Sequence, residues 1–408
     1  MSKQKEIVLL NVLGEDKPGV TATLTEILAE HKVNILDIGQ AVIHEDLSLG
    51  ILVEVPDQSG SSPILKDILF KAHEMGLNVK FTPISEKRYQ EWVDNQGKER
   101  FIITLISKKL TALQLSRVTR LICDQGLNID VISRLSGRIP LDASDKSEAK
   151  SVVEFSLRGT PHDIEAMKRG FIAISGETGV DIAFQEDNIY RRNRRLVCFD
   201  MDSTLIQTEV IDELAKRAGV YEKVSAITES AMRGDIDFKE SFRQRVSLLS
   251  GLDESVMKEI AENLPLTEGA ERLFRTLKKY GYRTAILSGG FTYFGNYLKT
   301  KLDIDYVFAN ELEIKDGKLT GRHVGEIIDG EKKAELLRLI AFKEDIHLEQ
   351  VIAVGDGSND LPMLKLAGLG IAFHAKPKVK ASAKHSISTI GLDAILYLLG
   401  FRDREINM

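Results

Sequence analysis

The spacing of apolar and polar positions divides the chain into two kinds of sequence. In the first kind, short apolar runs with the two-residue period of strands alternate with stretches whose apolar residues recur every three or four positions, the period of helices. KEIVLLNVL predicts a strand, GEDKPGV a turn at Pro18 and Gly19, and TATLTEILAEHK a helix with Leu24, Ile27, Leu28 and His31 on one face. NILDIGQAVIH and LSLGILVEV follow as strands around a tight turn at Glu45 and Asp46, then SPILKDILFKAHEMG as a helix and LNVKFTPI as a strand. The order is βαββαβ. It returns after SEKRYQEWVDNQGKER, a polar stretch that predicts a linker, in FIITLIS, LQLSRVTRLICDQG, LNIDVISRLS, SVVEFSLRG, PHDIEAMKRGFIAISGETG and VDIAFQED. EHKVNILDI and DQGLNIDVI align as helix end, turn, Asn and strand, so this half is an internal duplication of an α+β unit with helices on one sheet face.

From Leu196 the rhythm changes to strands alternating with helices, which predicts a parallel α/β sheet. LVCFD, RTAILSGG, YVFAN and VIAVGDG are the core strand candidates. Between the first and the rest lie only helical runs: VIDELAKRAG, VYEKVSAITESAMRG, FKESFRQRVSLLSG and ESVMKEIAENL. An insertion there would sit over the carboxyl ends of the strands as a lid. The expected organisation is two α+β domains at 1–86 and 98–188, an α/β core at 194–204 and 266–400, and a helical cap at 205–265.

Composition agrees with several cores: 408 residues with 43% hydrophobic content are too many for one. A net charge of -6 gives no field that attracts nucleic acid, and the cluster Arg191, Arg192, Arg194 and Arg195 reads as a solvated linker. Cys123 and Cys198 both lie in apolar runs and read as small buried side chains without a disulfide. No uncharged apolar run reaches membrane-spanning length, so a cytoplasmic protein with neither nucleic-acid nor membrane partners is expected.

The chemistry lies where the apolar runs of the second half stop. Asp200 and Asp202 follow the first strand two residues apart, Ser288, Gly289 and Gly290 follow the second, and Asp356, Asn359 and Asp360 fall in GDGSND after another. Three carboxylates converging on one edge repel unless a hard cation lies among them, and magnesium suits oxygen ligands that also meet a phosphate. A Ser-Gly-Gly turn lets backbone N–H groups approach an anion, and Lys333 near a helix start would add positive charge. In such a set Asp200 serves as nucleophile on phosphorus and Asp202 as acid and base.

VCFDMDSTL, AILSGGF, Lys333 and VGDGSNDLPML resemble, in order, the four motifs of the haloacid dehalogenase superfamily, and the helical insertion resembles its small cap. The resemblance implies a Rossmannoid sheet with Asp200 as nucleophile, Asp202 as acid and base, Ser288 and Lys333 on the transferred phosphoryl group, and Mg²⁺ held by Asp200, Asp202 (through its carbonyl) and Asp356. Asn359 and Asp360 would orient phosphate or metal-bound water. DMDSTLIQTEVIDELA and AMRGDIDFKESFRQRVSLLSGL carry the likeness to members acting on phosphorylated amino acids, which implies O-phospho-L-serine as substrate. Glu209 would then meet its amino group and Arg245, rather than the nearby Arg243, its carboxylate, with Met232 and Phe238 as apolar cover and Gly289 against the phosphate. The duplicated half resembles a tandem pair of ACT domains, which implies an amino-acid effector, here L-serine, near Asp16, Lys17, Pro18 and Gly19, and a homodimer. The equivalent loop of the second unit, SKKLTAL, lacks both proline and glycine. Three alternatives stay open: phosphoryl transfer to homoserine or another alcohol, a non-catalytic amino-acid sensor, and a glycosidase that uses the paired carboxylates.

Overall fold

The computed structural model describes residues 6–56, 61–138 and 150–406, apart from the side chains of Gln96 and Met232. Two compact units are present, Met1–Lys98 and Glu99–Met408.

In the first unit the alternating runs become β1 (Glu6–Glu15), α1 (Val20–Glu30), β2 (Asn34–Ile43), β3 (Asp46–Val55), α2 (Ser61–Glu74) and β4 (Asn78–Ile84). The sheet is antiparallel in the order β2-β3-β1-β4. Its inner face, with Leu10, Val12, Ile51 and Val53, packs on Leu24, Leu28, Ile64 and Ile68 of the helices, which places the two-residue and helical periods against each other as expected. The predicted linker is not extended. It forms α3 (Glu86–Asp94), whose start is capped by Ser85 Oγ accepting from the Arg88 N–H at 3.3 Å. Its run of Glu, Lys, Arg and Gln favours a helix once a cap is present, although none of its residues is buried.

The second unit repeats the plan with β5 (Arg100–Ser107), α4 (Ala112–Asp124), β6 (Asn128–Arg134), β7 (Ser151–Arg158), α5 (Ile164–Thr178) and β8 (Asp181–Glu186), in the order β6-β7-β5-β8. The predicted loop before β7 lies mostly outside the described residues. Cys123 is a correction: it is exposed on α4, because Val118 and Ile122 take the buried face. Cys198 is buried as expected.

The same unit continues with β9 (Leu196–Phe199) and the cap helices α6 (Val210–Arg217), α7 (Tyr221–Arg233), α8 (Phe238–Ser247) and α9 (Ser255–Glu262). Then come α10 (Ala270–Lys279), β10 (Arg283–Phe291), α11 (Thr292–Leu302), β11 (Tyr306–Lys315), β12 (Lys318–Val324), α12 (Gly330–Lys343), β13 (Val351–Gly355), α13 (Leu361–Leu366), β14 (Leu369–Phe373), α14 (Pro377–Ser382) and β15 (His385–Ile387). They build a seven-stranded sheet, β12-β11-β10-β9-β13-β14-β15, parallel except for the β11–β12 hairpin. The first strand of the sequence is thus central, and the order turns at β9, the kind of switch point at which open sheets bind ligands. The cap is fixed at two places. Ile206 bridges Leu266 at its neck, and its far end is stitched to the hairpin by Gly251 N–H to Leu319 O (2.8 Å) and Glu254 N–H to Gly317 O (2.9 Å).

The outer face of the second repeat is built into the α/β core. Ile106, Leu135, Val152 and Ala183 belong to one hydrophobic cluster with Val197, Phe199 and Ile387. Asp181, at the start of β8, accepts from the Ser388 N–H (2.7 Å), the Thr389 N–H (2.8 Å) and the Thr389 hydroxyl (2.6 Å). Lys150 pairs with the buried Asp393 at 2.5 Å. The connecting arginines correct a second expectation. Arg191 and Arg194 are buried rather than solvated: Arg191 pairs with Glu154 at 2.5 Å, and Arg194 donates to the Glu349 carbonyl at 3.1 Å. A buried guanidinium without such acceptors would be strongly destabilising.

His385 of β15 is buried with Nδ1 unpartnered among the described residues. Burial, then the charges of Arg194, Lys384 and Lys168, hold its pKa down at about 3. The unfolded chain, with an ordinary histidine near pH 6.5, therefore binds more protons between pH 6.5 and 3, and stability falls as pH drops through that window. Between pH 7 and 5 this single group is expected to remove about 2 kcal/mol. Urea midpoints of the wild type and His385→Gln at both pH values check it: the variant should lose less.

Candidate active site

Each site residue is placed by the end of a strand or the start of a helix. Asp200 extends β9, its N–H donating to Val354 O at 2.9 Å, so its carboxylate leaves the sheet at the carboxyl edge. Its Oδ1 accepts from the Met201 N–H (2.7 Å) and pairs with Lys333 Nζ at 2.9 Å. Asp202, two residues on, has Oδ1 bound by the Val210 N–H at the start of α6 (2.8 Å) and Oδ2 at 3.5 Å from the Ser288 hydroxyl. Burial, followed by the negative charges of Glu209 and Asp200, pushes its pKa well above the carboxylate range.

Ser288, Gly289 and Gly290 do not follow a strand but interrupt one: the β10–β11 register shifts between Leu287 and Phe291, which makes the Ser-Gly-Gly stretch a bulge that turns backbone toward the site. Gly290 has no room for a side chain, and at Gly289 one would have to displace the Phe238 ring. A methyl on Gly290 would overlap Asp202 Oδ2 and come within 2.7 Å of Met201 Cε, and one on Gly289 would lie 3.1 Å from Phe238 Cζ. Asn310, which sequence reasoning missed, holds the bulge: Nδ2 donates to Gly289 O (2.8 Å) and Oδ1 accepts from the Ile328 N–H (2.9 Å). Its signal was the one polar residue ending YVFAN.

Lys333 on α12 is fully buried between Asp200 and Asp360, the latter at 2.7 Å. Burial works to lower its pKa, but Asp200 and then Asp360 outweigh it, so the ammonium stays charged. Asp360 Oδ2 also accepts from the Gly357 N–H at 2.9 Å. Burial and the charge of Asp200 raise Asp360 to about 6, and burial with Asp200 and Asp360 raises Asp356 to about 8. Thr204, also missed, donates to Asp356 Oδ1 at 3.2 Å.

Carboxylate oxygens of Asp200, Asp356 and Asp360 lie within 4.8 Å of one another. An all-oxygen, mutually repelling cluster of this size fits a hard divalent cation. The structure thus brings the Asp360 carboxylate into the cluster, while Asp202 points its carboxyl toward α6 and Ser288.

The cap supplies the other wall of a cavity of about 820 Å³ lined by Asp200, Glu209, Phe238, Arg245, Gly289 and Asn359, among others. Glu209 stands just before α6 and accepts from the Ser203 hydroxyl at 2.7 Å; burial raises its pKa. Arg245 lies on the inner side of α8, where Nε donates to Ser241 O at 3.3 Å and the charges of Glu209 and Asp212 face it. Arg243 instead points outward, exposed, at 3.8 Å from Glu240. Of the two arginines, Arg245 is the one that lines the cavity. Met232 belongs to α7, but its side chain is outside the described residues.

If the acidic cluster holds a divalent ion, titrating Mg²⁺ should raise the thermal midpoint, by about 3 kcal/mol of stabilisation at 100-fold above Kd, and Asp356→Asn should remove most of that response.

Two family models match parts of the chain. Residues 6–82 match the family model described as ACT domain, and residues 197–365 match haloacid dehalogenase-like hydrolase. A phosphoserine phosphatase of Mycobacterium tuberculosis is 40% identical over 404 residues, 99% of this chain and 95% of that protein. One of Streptomyces coelicolor is 39% identical over 98% of this chain and 93% of its own length. Among solved structures, a probable phosphoserine phosphatase from Vibrio cholerae is 34% identical with a TM-score of 0.58, covering 75% of this chain and 87% of that one. Full-length likeness at this level, together with the ordered motif residues gathered around one cavity, shows that the chain belongs to the phosphoserine phosphatase family of haloacid dehalogenase-like hydrolases, with an N-terminal ACT domain.

Proposed function

We propose that the protein hydrolyses O-phospho-L-serine to L-serine and phosphate, the last step of serine biosynthesis, in the cytoplasm. The observation that carries this reading is the pairing of Glu209 and Arg245 in the cavity that also holds Asp200. A zwitterionic amino acid needs one anion and one cation to read it, and the planar guanidinium suits its carboxylate. Phe238 covers the apolar side, and Met232 on α7 is assigned the same part.

In the proposed first step an Asp200 carboxylate oxygen attacks phosphorus while the bond from phosphorus to the serine Oγ breaks, and the protonated Asp202 gives its proton to that oxygen. Ser288, whose hydroxyl oxygen is held by the Gly290 N–H at 2.9 Å, the Gly289 N–H and Lys333 receive the negative charge of the transferred oxygens. In the second step Asp202, now ionised, takes a proton from water, which attacks phosphorus and frees Asp200 and phosphate. Asp200, Asp356 and the Asp202 carbonyl, with Asp360 beside them, are the residues assigned to hold Mg²⁺, which when bound supplies screening of Asp200 and polarisation of phosphoryl oxygens. Asn359 orients the phosphate.

The first repeat is assigned an amino-acid effector, L-serine. Asp16, Lys17, Pro18, Gly19, Thr21 and Gln40 line a hollow of about 340 Å³ at the start of α1. Gly19 caps that helix at φ 95 with no side-chain bond, which leaves N–H groups open to a carboxylate. In the second repeat Thr111 and Gln114 close the same position with a capping box, so the effector is assigned to the first alone. A homodimer is proposed through strand addition at β2, a ten-residue edge that exposes Ile35, Ile38, Val42 and Ile43.

Phosphate release from O-phospho-L-serine tests the activity. Asp200→Asn should lower it at least about 10³-fold, and a chelator should abolish it until Mg²⁺ is restored. Arg245→Ala should cost about 100-fold in kcat/KM and Arg243→Ala little. Preference for a sugar phosphate, or phosphate appearing only when an acceptor alcohol is added, would overturn the substrate assignment. Serine is expected to lower the initial rate, a response that Gly19→Val should lose.

A further inference from the structure

The active-site cavity carries a charge imbalance that the reacting residues do not remove. Outside the carboxylate cluster assigned to a cation, its walls carry the carboxyl groups of Glu209, Asp212 and Glu229. Of the cations already described, Lys333 is taken up by Asp200 and Asp360, and Arg245 is faced by Glu209 and Asp212. A phosphate monoester dianion entering this mouth meets charge of its own sign in a confined, partly dehydrated space, where such repulsion is worth more than in water.

Two lysines outside every motif discussed so far line the same cavity: Lys376 and Lys378, on the turn after β14 and the first residues of α14. Exposed lysines on most surfaces only keep a charge solvated. These stand on a braced segment. His374 takes a left-handed φ of 45, its N–H donates to Ile387 O at 2.8 Å, and its Nε2 lies 3.1 Å from Ile390 O, so the carbonyl makes that nitrogen the donor. Pro377 fixes the first turn of α14, and Ala375 and Val379 are buried against Leu361 and Ala383. The segment that offers the Ile387 and Ile390 carbonyls is itself held by Asp181 of the second repeat through Ser388 and Thr389. Lys378 makes no ion pair among the described residues.

We propose that Lys376 and Lys378 are a cationic rim that captures the phosphate end of the substrate and offsets the acidic walls on its way to Asp200. The proposal rests on the phosphomonoesterase reading above. Because the rim reads only the phosphate, it should serve any small phosphate monoester, whereas Glu209 and Arg245 read the amino-acid end.

Steady-state kinetics of the full chain from about 50 mM to 0.5 M NaCl test it. The double variant Lys376→Ala/Lys378→Ala should lose about tenfold in kcat/KM at low salt, with the loss in KM rather than kcat, and its dependence on salt should flatten. Lys378→Glu should lose more than Lys378→Ala, and Lys378→Arg should restore most of the loss. para-Nitrophenyl phosphate, which shares only the phosphate, should show the same fold-change. Unaltered kcat/KM and salt slope in the double variant, a loss confined to kcat, or a loss seen with O-phospho-L-serine alone would each overturn the rim while leaving the phosphatase reading in place. A parent chain inactive on both esters would sink that reading and the rim with it.

Discussion

One buried ammonium carries the arrangement. Lys333 has no exposed surface, and its Nζ lies within 2.9 Å of Asp200 and 2.7 Å of Asp360, carboxylates that leave the sheet from different strands. Without it the carboxyl edge would gather like charges in a buried place, where burial and then neighbouring charge raise a carboxyl's pKa, as Asp356 shows at about 8. Removing one partner from such a buried set typically costs about 3–5 kcal/mol, because the rest are left uncompensated. The position of α12 follows from this. Asp329 caps it through the Lys332 N–H at 2.9 Å, and one residue later Lys333 points under the strand ends.

Around that charge pair, space is allotted by small residues. Gly290 lets Asp202 approach the bulge of β10, Gly289 admits the ring of Phe238 from the cap, and Gly330 leaves room for the Asn359 backbone, 2.6 Å from where a methyl would stand. Of these contacts the one between Gly289 and Phe238 joins cap to core, and an added carbon there would have to displace the ring. Lys239 of α8 adds a bridge to Asp329 at 3.0 Å, which ties the cap to the helix that carries Lys333.

Much of this was legible in the residue order, and what was not has physical causes. The βαββαβ repeats, the α/β half and the four cap helices all announced themselves by period, since each has one face in a core. β14 and β15 did not, because LGIAF and HSI are short buried runs without alternation. The helix α3 hid in a polar stretch because none of its residues is buried. At the site, Asp200, Asp202, Lys333 and Asp356 stood out as ordered motifs, whereas Asn310 and Thr204 act through hydrogen bonds to residues distant in sequence, which no local pattern records. Arg191 and Arg194 misled for the opposite reason: a cluster of arginines looks solvated until a carboxylate from another element, Glu154, is found beside it.

The two repeats share a plan and differ in mechanics. The second has given the free side of its sheet to the catalytic body, with Ile106, Val152 and Ala183 in the common cluster and Asp181 fastened to the segment beyond β15. Duplication here has broken equivalence: one copy became masonry. A recombination that exchanged the pair, harmless to the order of elements, would strip the α/β half of a wall it was built against.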